Sequence, residues 1–68
     1  MEEYQKRMLN EYKELNDRCI KLEKFIMTDK FDELCEEEQF DMHQQLNYMK
    51  QYRRILKSRC ERQNIDVE

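Results

Sequence analysis

The stretch "YMKQYRRILKSR", residues 48–59, holds the chain's densest mixture of rings and cations. Tyr48 and Tyr52 offer faces for stacking, while Arg53, Lys57 and Arg59 offer positive charge and N–H donors to an anion. A ring takes a base and a guanidinium takes a phosphate, so the pattern suits capture of a small anionic ligand such as a linear or cyclic nucleotide. These five residues form the candidate ligand-binding set. The competing reading is structural: cations near a helix C-terminus are favoured by the helix dipole, and the tyrosines could line a packing seam.

The inventory for catalysis is thin. His43 has no serine near it, because Ser58 lies four helical turns away. With no glycine in the chain, no loop can be proposed to cradle a phosphate. Cys19 and Cys60 fall in an apolar register, where buried thiols are inert. Cys19, Cys35 and Cys60 are odd in number and form no C-x-x-C pair, so neither a disulfide framework nor a zinc site is expected. The expectation is a non-catalytic binder without metal or cofactor.

The 68 residues make one small domain, 43% charged and 38% hydrophobic, with mean hydropathy −1.25. Such a composition fits paired helices better than a compact α/β core. The net charge of −3 argues against general DNA binding. Its distribution is uneven: seven acids and one lysine lie between Asp29 and Asp41, six cations and one acid between Lys50 and Arg62. The longest apolar run is Phe25-Ile26-Met27, so no membrane span is expected. The opening "MEEYQKRML" lacks the apolar core of a signal peptide.

Apolar periodicity supplies the architecture. Tyr4, Met8, Tyr12, Leu15, Cys19, Leu22 and Ile26 recur at three- and four-residue steps, as do Met42, Leu46, Met49, Leu56 and Cys60, with Arg53 standing in the gap. Two such stripes, some fifteen residues apart, predict an all-α, antiparallel two-helix hairpin: helix 3–27, a short helical turn over 28–35, helix 36–62 and a frayed tail 63–68. Thr28 is placed to cap the turn. The acidic block "DELCEEEQF" reads as the start of the second helix, because consecutive glutamates point around a helix rather than converging on a metal. Paired positions then total about 68, which sets Leu15 opposite Arg53 and Met8 opposite Cys60. Arg53 is expected to snorkel toward Glu11 or Glu14. Leu9, Ile20, Met27, Tyr48 and Ile55 fall outside the main stripes and are the candidate interface of a homo-oligomeric bundle.

The whole chain resembles a family of small bacteriophage proteins related to a gene product of a crAss-like phage. The resemblance is carried by "LNDRCIKLEKFI", "DKFDEL", "EEEQ", "QLNYMKQY" and "RILKSR", in that order, over about residues 4–62. Cys35 departs from it, standing where a capping Asp or Ser is expected. The resemblance implies a phage product acting in the bacterial host cytoplasm, of a kind that counters host defence by binding, and it brings no catalytic residues. The reading that follows is an accessory protein that sequesters an anionic immune signal. The alternatives are an inhibitor that docks on a host defence protein, and a structural or assembly protein of the phage particle.

Overall fold

The computed structural model describes residues 1–67. Among them are two long helices, α1 (Glu3–Ile26) and α3 (Glu36–Arg62), joined by a single-turn helix, α2 (Asp29–Asp32). No strand occurs among the described residues. The long helices pack side by side in a rod 45 Å long and about 16 Å across. A chain without glycine or proline has no intrinsic helix breaker. The reversal therefore depends on side-chain chemistry at the tip.

Thr28 supplies the first part of that chemistry. Its hydroxyl accepts from the Phe31 N–H at 3.4 Å and donates to the Phe25 carbonyl at 2.6 Å, closing α1 and opening α2 with one side chain. Cys35 precedes α3 and makes no side-chain capping bond. Gln39 secures the junction instead: its Nε2 donates to the carbonyls of Leu34, Phe31 and Asp32 at 2.9, 3.1 and 3.3 Å. They lie at the end of a short helix, where carbonyls lose intrahelical partners; the Phe31 carbonyl also accepts the Leu34 N–H at 3.0 Å. The acids Glu36, Glu37 and Glu38 occupy the first turn of α3 and Arg59 and Arg62 the last, both in the sense the helix dipole favours. Phe31 is buried at the tip, with Phe25 and His43 edge-on to it at 6.3 and 5.4 Å. His43 is thus an exposed residue whose ring completes an aromatic contact.

Met8, Tyr12, Leu15 and Cys19 from α1 meet Leu56 and Cys60 from α3 in the core, with Leu46 and Met49 packed alongside. Leu56, Cys19 and Cys60 are fully buried. Gln63 ties the open end of the hairpin by accepting from the Tyr4 hydroxyl at 2.8 Å and from Gln5 Nε2 at 3.0 Å. That pairing agrees with the register total of about 68.

The tail differs from expectation. Residues 63–68 were expected to fray, on the ground that Ile65 and Val67 pass the last paired layer. Ile65 instead belongs to the core at 5% exposure, and Val67 packs against it. The cause is backbone geometry. Asn64 adopts φ 60°, the left-handed conformation that asparagine tolerates, and the Ile65 N–H returns to the Cys60 carbonyl at 2.9 Å while the Asn64 N–H reaches Glu61 at 3.0 Å. This paired bonding is the Schellman arrangement, which turns the chain back over the last helical turn. Glu68 of the expected tail lies outside the described residues.

Candidate functional site

The helix pair has two flanks, and its cross-helix polar contacts define them. On one flank, Arg53 donates to Asn16 Oδ1 at 3.0 Å and Lys50 Nζ lies 3.8 Å from a Glu23 carboxylate oxygen. On the other, the Tyr52 hydroxyl hydrogen-bonds to Glu11. Adjacent residues on a helix are about 100° apart, so Tyr52 and Arg53 straddle the core-facing line and serve opposite sides.

The first flank carries an open groove of about 550 Å³, lined by Tyr12 and Asn16 of α1 and by Lys50, Gln51, Arg53, Arg54 and Lys57 of α3. Four of the seven lining residues are cationic and none is acidic. Lys50 is partly neutralised by Glu23, both side chains being nearly half exposed. Arg54 makes no ion pair among the described residues. Arg53 is half-buried and gives Asn16 one of its five N–H donors, which fixes the guanidinium plane at the groove wall. Asn16, Gln51 and the Tyr12 ring add neutral donors, acceptors and an apolar surface. The arrangement is suited to an anion with a planar or polar appendage.

The expected ligand set divides accordingly. Arg53 and Lys57 line the groove, whereas Tyr48, Tyr52 and Arg59 do not. Spacings of four, three and four place Tyr48, Tyr52, Ile55 and Arg59 together on the Glu11 flank. The expected partner of Arg53 also changes, because Tyr52 engages Glu11 and the guanidinium turns to Asn16. Tyr12, Asn16, Lys50, Gln51 and Arg54 are the lining residues outside the expected set. Lys50, Arg53, Arg54 and Lys57 recur at three- and four-residue intervals, a signal that was readable as one basic face. The contributions of Tyr12 and Asn16 required the fold.

The expected oligomer residues divide as well. Leu9 packs against the core of its own chain. Ile20 and Met27 are 41% and 87% exposed, on the Asn16 flank by helical spacing. Tyr48 and Ile55 are 69% and 51% exposed, on the opposite flank.

Two titrations respond to these surroundings. The hydrogen bond to Glu11 is the largest cause holding the Tyr52 phenol above its ordinary value; desolvation and the Glu11 charge act in the same direction, and Arg59 opposes them. Burial pushes the Cys60 thiol up, with Arg59 again opposing. Among the described residues no cluster of three or more His, Cys, Asp or Glu could hold a metal ion. No helix there is long and apolar enough to cross a membrane.

A family model named Sequestin matches residues 2–62, a span that takes in both long helices, the tip and every residue of the groove. The chain belongs to the Sequestin family. Membership suggests a small sequestering protein, with binding rather than catalysis as its role. No curated protein and no solved structure matches the chain.

Proposed function

We propose that this Sequestin-family protein is a non-catalytic phage accessory protein that sequesters a small anionic ligand, a linear or cyclic nucleotide used as an immune signal, in the host cytoplasm. The observation that carries the reading is the groove, where Lys50, Arg53, Arg54 and Lys57 face a common space without a lining carboxylate. Arginine presents a planar fork of donors matched to phosphate, and lysine adds a mobile point charge. The family name is consistent with capture of a ligand. The phage origin and the action against host defence rest on the sequence resemblance. Sequestration requires no reaction, only affinity high enough to keep the free signal below the level its receptor needs.

Calorimetry and thermal shift against a panel of linear and cyclic nucleotides test the reading. A bound ligand raises the melting temperature in proportion to the logarithm of its excess over Kd. Arg54→Ala, at an exposed position, is expected to weaken binding about tenfold or more while the fold is kept. A panel that gives neither heat nor stabilisation at millimolar nucleotide overturns the proposal.

A further inference from the structure

The cations of the groove stop abruptly toward the open end of the hairpin. Lys50, Arg54, Lys57 and Glu61 follow one another on α3 at steps of four, three and four, so one stripe changes sign after Lys57. A second, smaller groove of about 290 Å³ begins there, lined by Lys57, Glu61, Ile65, Asp66 and Val67. Lys57 lines both grooves, and in the second it shares the space with the carboxylates of Glu61 and Asp66. Asp66 is exposed, yet it is carried on an anchored segment. Its neighbour Ile65 is buried in the core and Val67 packs against that core. The left-handed Asn64 and the bond from the Ile65 N–H to the Cys60 carbonyl bring this segment back over the end of the helix. At about 1.5 Å per residue, Lys50 and Lys57 stand about 10 Å apart along α3, and Glu61 about 6 Å beyond.

We infer that Glu61 and Asp66 are specificity-determining residues that close the groove electrostatically, limiting its ligand to an anion whose charged part spans no more than the stretch from Lys50 to Lys57. The inference rests on the reading that the groove binds nucleotides, and it adds the length of ligand the groove takes. An anion within that stretch meets Lys50, Arg53, Arg54 and Lys57 with no carboxylate on the groove wall. A strand continuing past Lys57 sets its next phosphate beside Glu61 and Asp66, where like charges repel. Short linear or cyclic nucleotides fit this limit. Cellular DNA and RNA do not, because their phosphates recur without end along the strand. The acidic wall thus lets a basic groove hold a small signal without being filled by nucleic acid, in keeping with the net charge of −3.

Calorimetry of the full chain with linear oligodeoxyadenylates, from dinucleotide to hexanucleotide, tests the wall. Phosphates recur about every 3.4 Å along a strand, so affinity should rise with length and then level off after about three of them. In Glu61→Gln/Asp66→Asn the rise should continue, with the hexanucleotide bound about tenfold more tightly than by the unsubstituted chain. Glu61→Gln alone, which leaves the folded-back tail untouched, should move the levelling point in the same direction. Glu36→Gln/Glu37→Gln removes as much charge from the first turn of α3, about 30 Å or more from Lys57 and several Debye lengths away, and should keep the plateau. A plateau unchanged in both wall variants, a plateau lost equally in the Glu36/Glu37 variant, or affinity that climbs with every nucleotide in the unsubstituted chain overturns the inference and leaves nucleotide capture standing. Absence of binding across the whole series also overturns it, and the nucleotide panel above then decides whether the groove reading falls with it.

Discussion

Arg53 reaches across the helix pair to Asn16 and not to a carboxylate, its guanidinium donating to Asn16 Oδ1 at 3.0 Å. A cation in an otherwise apolar register was expected to find Glu11 or Glu14. The hairpin twists that expectation onto the other flank, where Glu11 is engaged by Tyr52. The consequence is electrostatic. A neutral partner orients the guanidinium without cancelling its charge, so the positive potential of Arg53 remains available to the groove.

Arg53→Met separates packing from charge. Asn16 is half-buried and keeps access to water, so losing this hydrogen bond should change stability by about 1 kcal/mol or less, read from urea unfolding. Nucleotide affinity should fall by about tenfold or more in calorimetry. A variant that keeps full affinity would exclude Arg53 from the ligand site. One that fails to fold would mean that the side chain is held by more than Asn16.

The Tyr52 phenol is expected to ionise above its ordinary value of 10.0. Its folded-state value exceeds its unfolded one, so the associated stability is fully present below the unfolded value and disappears as pH rises through the folded value. Ultraviolet titration of phenolate should place Tyr52 above its ordinary value, and Glu11→Ala, which removes both the hydrogen-bond acceptor and its charge, should bring it back toward that value. An unchanged titration in Glu11→Ala would remove Glu11 as the cause.

The residues that were legible in sequence are those governed by period. The apolar stripes from Tyr4 to Ile26 and from Met42 to Cys60 specify two helices packed face to face, and Thr28 marks the break, because these features depend on near neighbours. What escaped depends on geometry between distant residues. Arg53 and Tyr52 are adjacent in sequence, yet the core-facing line passes between them and sends them to opposite flanks. Asn16 carries no sequence mark of a groove residue until Arg53 is set beside it. Asn64 did carry a local mark, an asparagine just beyond a basic last helical turn, which is a helix-stop signal. Its importance lies in what it returns to the core, Ile65.

Ile65 should be a structural residue rather than part of a loose tail. It is 5% exposed and packs with Cys60 and the rest of the core. Ile65→Ala should cost roughly 2–4 kcal/mol in chemical denaturation, since it removes buried methyl groups. Asn64→Gly should hold or raise stability at φ 60°, whereas Asn64→Val should lower it by about 1–2 kcal/mol. A frayed tail would make all three substitutions nearly neutral.

The three thiols should separate by reactivity. Cys35 is exposed, Cys19 and Cys60 are buried, and burial also raises the Cys60 thiol above its ordinary value, disfavouring the thiolate that reacts. Mass spectrometry during maleimide labelling should show one rapid modification at Cys35. The other two should follow only in denaturant. Early labelling of Cys60 would mean that the open end, clamped by Gln63 and covered by Ile65, separates far more readily than its contacts imply.

Gln39 is expected to hold the reversal itself. Cys35 gives α3 no side-chain cap, and a single amide nitrogen instead contacts the carbonyls of Leu34, Phe31 and Asp32. Gln39→Ala removes all three contacts while leaving the helical propensity of the position intact. Two of them lie at 2.9 and 3.1 Å and the third at 3.3 Å, so they compete for two N–H donors, and the loss should be about 1–2 kcal/mol rather than three full bonds. Hydrogen exchange should accelerate first at the amides of Phe31, Glu33 and Leu34, whose bonds close the tip. The central turns of α1 and α3 should keep their protection relative to global unfolding. If exchange at the tip is unchanged, Thr28 and the buried Phe31 suffice to reverse the chain. Cys35→Asp then offers the complementary test: a side chain able to cap α3 should recover about 1 kcal/mol in the Gln39→Ala background if an unsatisfied junction is the cause of its instability.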